Sequence, residues 1–318
     1  LKDYPDVSEK TKKAVKELAQ NLNYTPNSFA VNLRTKESKT IGLIIPEVVH
    51  HFFSNVINGI IHEAEKKGYL VIILQSNESK QMEINQVDLL VNKRVDGILL
   101  SLSNESNDDH HLKEIQRKKI PFVMFDKISK LINCSKVIIN DQKAAFEATE
   151  HLINKGCVKI AHIRGPLNTQ NPIDGKKKKK KALEKNGIEY NPKLVYTCEN
   201  SSFEEGYNFC KQIIDEHPDV DGIFSVTDLV AIGAINFLNE KKVNVPEQIK
   251  VIGFSNWFMG QVITPKLSTV DQPGYEMGIA SFNLLLEEMI TRKEEQEFIP
   301  RTIELEISII ERESTSKK

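Results

Sequence analysis

From residue 39 onward, short apolar runs alternate with amphipathic stretches. The runs are T-I-G-L-I-I-P (40–46), L-V-I-I-L-Q (70–75), D-G-I-L-L-S (96–101), P-F-V-M-F-D (121–126) and K-V-I-I-N (136–140), with helical periodicity over 53–67, 80–93 and 107–119. Strands that are apolar throughout belong to a parallel sheet covered on both faces by its crossover helices. The pattern then starts again: V-K-I-A-H-I (158–163), K-L-V-Y-T (193–197), D-G-I-F-S-V (221–226) and I-K-V-I-G-F (249–254), with helices over 141–155, 176–186, 203–216 and 229–240. D-G-I-L-L-S and D-G-I-F-S-V are near copies about 125 residues apart. A helix over 275–291 and a last strand, R-T-I-E-L-E-I-S-I-I (301–310), complete the body. The predicted fold class is α/β, two similar doubly wound parallel-sheet lobes, whose ligands sit beyond the carboxyl ends of the strands in the cleft between them.

Ahead of this body lies a different kind of segment. Residues 8–23 read as a compact helix with Val15, Leu18, Ala19 and Leu22 on one face. Pro26 then suits a first helical turn, and Asn27 or Ser28 can accept a bond from its free amides. From Ser28 to Arg34 there is room for only about two turns before the polar T-K-E-S-K, and isolated helices under roughly 12 residues are marginal in water. Such a helix folds only against something.

The order and spacing of V-S-E-K-T-K-K-A-V, L-N-Y-T-P-N-S-F-A-V-N-L-R-T and T-I-G-L-I-I-P resemble the lac-repressor family of bacterial transcription regulators. The resemblance implies a homodimer on a near-palindromic operator, with the short element acting as a hinge helix that folds when two subunits meet on DNA. By position Leu33 is the apolar wedge for the minor groove, where unstacking a base step costs a few kcal/mol. An ordinary anchor against the body is the alternative for this residue. Tyr24, Asn27, Ser28 and Arg34 would position the backbone through phosphates, and Ala30 with Leu33 would face the partner hinge and the groove. Family members carry a helix-turn-helix ahead of this point, with the recognition helix that reads base edges. Residues 1–25 are therefore expected to be the C-terminal part of that domain, 26–39 the hinge helix and linker, and 40–312 the effector-binding and dimerisation domain. By family topology the first lobe takes about 40–140 and 273–292, and the second 141–272 and 293–312. The chain crosses between them near Asp141, near Gln272 and after the 275–291 helix. The same body is shared with periplasmic sugar-binding proteins, so a solute-binding protein of a transport system is the alternative; it predicts a signal peptide and no hinge motif.

Composition narrows the functional classes. The chain has 318 residues, 40% apolar and 27% charged, with a net charge of -1, so any DNA binding is local rather than a bulk-charge effect. Residues 1–40 hold eight Lys/Arg (Lys2, Lys10, Lys12, Lys13, Lys16, Arg34, Lys36, Lys39) against five acids (Asp3, Asp6, Glu9, Glu17, Glu37). No apolar run approaches the roughly 18 residues of a membrane span, and no signal pattern opens the chain, so a cytoplasmic protein is expected. Cys134, Cys157, Cys198 and Cys210 lack C-x-x-C spacing and read as reduced, partly buried residues. Phosphate-loop, dinucleotide, nucleophile-elbow and H-E-x-x-H motifs are absent, and His50-His51 and His110-His111 are adjacent pairs whose side chains point apart. Neither an enzyme nor a cofactor or metal site is expected.

Strand ends name the candidate effector contacts. Phe52 and Phe53 follow the first strand, and an exposed pair there would stack on a flat ligand face. Ser103 follows the third strand and Asp126 the fourth; Phe224 ends D-G-I-F, and Asp228 opens the next helix, where capping is as good an explanation as ligand contact. Phe224 reads equally as core. Ser255, Asn256 and Trp257 follow G-F, and Gln272 sits at a lobe crossing. Aromatic faces with carboxylate and amide edges suit a sugar or related metabolite. One stretch departs from the family: after I-R-G-P-L-N the resemblance implies an effector-gripping arginine followed by a Gly-aromatic pair, where this chain has Gly175 and then Lys176 to Lys181. Lys176 would be a point charge without the bidentate fork of arginine. A solvated helix face and an anion or nucleic-acid patch are the two readings of the lysine run.

Overall fold

The computed structural model describes residues 7–22, 24, 37–49, 51–105, 109–166 and 183–316. Helix α1 (Glu9–Asn21) stands apart at the amino end, capped by Ser8, whose hydroxyl accepts from the Thr11 amide. Val15, Leu18 and Leu22 are exposed on it. The body follows as β1 (Thr40–Ile45), α2 (His51–Lys66), β2 (Leu70–Gln75), α3 (Lys80–Asn92), β3 (Gly97–Leu100), α4 (His110–Arg117), β4 (Phe122–Phe125) and β5 (Ser135–Ile139). It continues as α5 (Asp141–Asn154), β6 (Ile160–Arg164), β7 (Val195–Thr197), α6 (Phe203–Glu216), β8 (Gly222–Ser225), α7 (Asp228–Glu240), β9 (Lys250–Phe254) and β10 (Ser268–Asp271). The chain closes with α8 (Gly274–Lys293), β11 (Thr302–Leu305) and β12 (Ser308–Ile310).

The strands form two sheets, β11-β5-β4-β3-β1-β2 and β12-β10-β9-β8-β6-β7. All pairs are parallel except β10 with β12. Alternate side chains of each apolar strand feed opposite faces. Ile41, Leu43 and Ile45 pack with α2 and α8, while Ile44, Ile98 and Leu100 pack with α3 and α4. In the second lobe Ala161 and Ile163 meet α6 and α7, and Ile160, Phe224 and Ile252 meet α5. The two-lobed doubly wound body is thus the one that the strand pattern predicts.

Three details differ from the expectation. The 301–310 segment is two strands: β11 pairs parallel with β5 in the first sheet, and β12 pairs antiparallel with β10 in the second. The third crossing therefore falls at Glu306 and Ile307, and residues 302–305 belong to the first lobe. An extended run can look unbroken in sequence while passing from the edge of one sheet to the edge of another, because both edges ask for the same backbone. K-L-V-Y-T begins as a short 3-10 turn (Pro192–Leu194), and the strand starts only at Val195. The helix expected over 107–119 spans only His110–Arg117, and most of 176–186 lies outside the described residues.

Each lobe is locked by one pair of helices that touch backbone to backbone. In the first lobe a Cβ at Gly59 of α2 would lie 2.2 Å from the Tyr275 carbonyl oxygen, and one at Gly278 of α8 would lie 2.2 Å from that of Val56. In the second lobe Gly206 of α6 faces Val230 at 2.1 Å, and Gly233 of α7 faces Phe203 at 2.1 Å. Even one methyl group forces these helices apart. Gly59→Ala and Gly206→Ala are each expected to lower stability by about 1–3 kcal/mol through overpacking. Urea unfolding followed by circular dichroism and by the fluorescence of Trp257, the single tryptophan, checks this, since Trp257 reports the second lobe; an unchanged midpoint in either variant would contradict the contact.

Candidate functional site

The carboxyl ends of both sheets face one another across a cavity of about 950 Å³. Its floor is the set of crossings, where Asn140, Asp141 and Gln272 line it. The first lobe contributes the ends of β2 and β4 (Asn77, Glu78, Asp126, Lys127) and the start of α2. The second contributes the ends of β6, β8 and β9 (His162, Arg164, Phe224, Ser255) and Trp257.

At the floor Asp126 sits on a turn with φ 58°, and its amide donates to the Val137 carbonyl at 3.1 Å. The Gln272 amide nitrogen donates to Asp126 Oδ1 at 3.3 Å, so a residue at a crossing is tied to the end of a first-lobe strand. Burial raises the Asp126 pKa, against the pull of Lys127. Asp141, in the first turn of α5, is pushed up to about 7 by desolvation against the cleft walls and by the facing Asp126 carboxylate. Asp141 is nevertheless an exposed residue. Lys127 pairs with Glu78 at 2.5 Å on the first-lobe wall.

On the opposite wall Phe224 is buried and stacks on the His162 ring, centroids 4.8 Å apart with the ring planes nearly parallel. Asp228 does not cap its helix. Thr227 does, its hydroxyl accepting from the Val230 amide, while Asp228 occupies the first helical position. Its carboxylate is 1% exposed and accepts from the Thr269 hydroxyl at 2.6 Å and the Trp257 amide at 2.5 Å. Burial nevertheless drives this carboxyl up to about 7. Both oxygens are used within the protein, so Asp228 fixes the backbone that presents Trp257. The Trp257 ring lies 6.3 Å from His51 of the opposite lobe, and His51 in turn lies 6.4 Å from Phe258, so an aromatic contact bridges the lobes. Burial lowers the His51 pKa, which favours the neutral ring in that contact.

Of the residues predicted from sequence, Phe52, Phe53, Asp126, Phe224, Asp228, Ser255, Trp257 and Gln272 line the cavity. Two do not. The buried Ser103 donates its amide to Glu83 at 2.6 Å, and Glu83 pairs with His111 at 2.7 Å behind the sheet. Asn256 turns away to Asp271 at 2.8 Å and Arg312 at 2.6 Å. The phenylalanine pair is not an exposed stacking face, since Phe52 and Phe53 are 8% and 4% exposed. Helix α2 starts at His51, and the helical repeat Phe52, Phe53, Val56, Ile60, Ala64 carries both rings into the core. Sequence reasoning missed His51, Asp141 as a contact, and Arg164. The strand-end rule that named Asp126 also applies to Arg164, the last residue of β6. Tyr24 is exposed, whereas Asn27, Ser28, Ala30, Leu33, Arg34, Gly175 and Lys176 to Lys181 lie outside the described residues.

The chemistry on display is non-covalent capture. Among the described residues no group of three or more His, Cys, Asp or Glu could hold a metal ion. The four cysteines are buried, with burial pushing each thiol up to about 12, far from a reactive thiolate. No helix among the described residues is long and apolar enough to cross a membrane.

The family described as "Periplasmic binding proteins and sugar binding domain of LacI family" matches residues 38–309. The chain is similar to catabolite control protein A of Priestia megaterium, at 29% identity over 288 residues, covering 90% of this chain and 85% of that protein. It is similar to the transcriptional repressor CytR of Escherichia coli K12, at 32% identity over 286 residues, covering 90% and 83%. A LacI-family regulator from Enterococcus faecium, solved with bound ribose, has the same fold with a TM-score of 0.73 at 26% identity, covering 87% of this chain and 98% of that one. With its paired lobes, interlobe cleft and hinge-segment motif, this chain belongs to the LacI family of transcription regulators.

Proposed function

We propose that the protein is a homodimeric repressor whose hold on a near-palindromic operator is set by a small polyol effector in the interlobe cleft. The observation that carries this is the cleft floor, where Asp126, Asp141 and Gln272 sit on or beside the crossings. A ligand touching them senses the angle between the lobes. Polar edges beside aromatic faces suit a sugar, and the ribose in the E. faecium relative supports that class. The ligand shifts a population: the lobe angle that it favours sets the separation of the two 28–34 segments and hence whether they form helices on DNA. Only a ligand with different affinity for the two states can do this.

Dimerisation is supported by an open sheet edge. Strand β2 ends the first sheet with Leu70 65% and Ile73 38% exposed, and Met82 and Leu89 are exposed on the neighbouring α3. Apolar edges of this kind call for a cover. The exposed Val15, Leu18 and Leu22 of α1 support reading residues 1–25 as part of a helical DNA-binding unit, with 26–39 as hinge and linker. A transport receptor would have no use for that unit.

The full-length protein is expected to enrich a near-palindromic duplex from a random pool and to lose affinity linearly with the logarithm of salt concentration, as counterion release requires. Leu33→Ala is expected to weaken that binding at least about tenfold, the loss of one wedge worth a few kcal/mol, while leaving sugar binding unchanged by calorimetry. Failure to enrich any duplex would overturn the reading.

A pH dependence follows from Asp141. Its folded pKa of about 7 lies above the ordinary 3.8. The group therefore favours the ligand-free fold most at acid pH, and that contribution is lost as pH rises through 7. A sugar hydroxyl donating to this carboxylate stabilises the ionised form, so affinity should increase between pH 6 and 8, with proton release near pH 7. Calorimetry in buffers of different ionisation enthalpy measures this, and Asp141→Asn should flatten the profile; an unchanged profile in the variant would remove Asp141 from the contact.

A further inference from the structure

Arg164 brings to the cleft a full positive charge, which a neutral sugar leaves unmatched. It ends β6, the strand between β7 and β8. Ile160, His162 and Arg164 alternate onto one face of that strand. Ile160 is buried in the core against α5, His162 stacks on Phe224, and Arg164 emerges into the cleft. The side chain is half-buried, and burial lowers its pKa, opposed only by the Tyr190 phenol. Its hydrogen bond runs from Nε to the carbonyl of Gly165, the adjacent residue, at 3.3 Å. Among the described residues no carboxylate forms an ion pair with it. The other half-buried arginine, Arg312, is treated differently: it donates to the Leu267 carbonyl at 2.7 Å and Asn256 Oδ1 at 2.6 Å, within the field of Asp228 and Asp271.

Several acids of the cleft have partners of their own: Glu105 accepts from the Lys80 amide at 3.2 Å and Glu304 from the Asn140 side-chain amide at 3.3 Å. Glu78 pairs with Lys127, Asp228 holds Thr269 and Trp257, and Asp126 and Asp141 face one another at the floor. Glu199, which follows the β7 partner of Arg164, is exposed and makes no ion pair with it. The amino end of α6 is not an anion seat either, because the Glu205 carboxylate takes the amides of Glu199, Asn200 and Ser202. The cleft is therefore polarised, with hydroxyl acceptors at the floor and, on the second-lobe wall, a planar cation that has no carboxylate partner among the described residues. A guanidinium in that position matches a carboxylate or phosphate with two parallel bonds, and partial burial strengthens the pairing.

We propose that the effector is a sugar derivative carrying an anionic group, and that Arg164 grips that group while the floor carboxylates take its hydroxyls. This rests on the cleft being the effector site. The test is calorimetry of the full chain with matched probes: glucose against glucuronate and glucose 6-phosphate, and ribose against ribose 5-phosphate. At least one anionic member should bind roughly 10- to 100-fold tighter than its neutral counterpart, the range for hydrogen bonds to a charged group. Glucuronate and the phosphates distinguish a sugar acid from a sugar phosphate. Arg164→Gln should abolish the difference by weakening the anionic probe far more than the neutral one, with an unchanged thermal unfolding midpoint reporting that the cleft still folds; Arg164→Lys should recover part of it, as a charge without the fork. Neutral sugars binding as well as or better than anionic ones, or Arg164→Gln weakening both alike, would overturn the assignment while leaving the sugar-controlled repressor intact. No binding by any probe would also overturn it. Operator binding that responds to no ligand would instead overturn the underlying repressor reading.

Discussion

Two rigid sheets joined by three strands of backbone can move relative to one another in only a few ways. The crossings at Asn140 to Asp141, Gln272 to Pro273 and Glu306 to Ile307 lie side by side at the floor of the cleft, so bending them opens or narrows the cavity without disturbing either core. Within each lobe, reciprocal glycine contacts bring α2 against α8 and α6 against α7 at backbone distance. Cores packed to that density deform little. Conformational freedom is thereby concentrated where the polar lining of the cleft is also concentrated, the arrangement that the proposed control by a small molecule requires.

The electrostatics of the floor fit the same logic. Burial raises the pKa of both floor carboxyls, the Asp126 charge adds to the cost of ionising Asp141, and Gln272 ties Asp126 across a crossing. Under the proposed reading, a hydroxyl donor bound to these carboxyls would favour their ionised forms and one lobe angle over another. Farther out, Asp228 gives up both oxygens to hold the Trp257 backbone, so the aromatic face is positioned before any ligand arrives. His51 completes that wall from the opposite lobe, making an aromatic contact that depends on the lobe angle.

Much of this could be read from the residues in order. Fully apolar strands separated by helical repeats dictate two covered parallel sheets, and the duplicated D-G-I motif announces the second lobe. The split of 301–310 was hidden, because a strand that changes sheets keeps one local pattern throughout. At the site, rules about strand ends located Asp126, Phe224, Trp257 and Gln272, since parallel topology alone brings such ends together. Side-chain direction was harder. Ser103 follows a strand end yet is buried with its amide spent on Glu83, Asn256 turns to the half-buried Asp271 and Arg312, and Phe52 and Phe53 follow the helical repeat into the core once α2 begins at His51. Arg164 carries no signal of its own in the sequence, because a charged residue at a strand end is ordinary on a solvated surface and the family resemblance implies its arginine later in the chain, at Gly175.

Ligand binding is expected to change the angle between lobes that stay internally rigid. The buried state of all four native cysteines allows spin labels to be attached selectively at exposed positions, for example Lys113 in the first lobe and Lys211 in the second, with a second pair placed inside one lobe. Pulsed electron resonance distances with and without a saturating sugar ligand then provide the most direct test. The interlobe distance distribution is expected to shift while that of the intralobe pair stays unchanged; an interlobe distribution unmoved by a ligand that demonstrably binds would show that the cleft does not control the lobe angle.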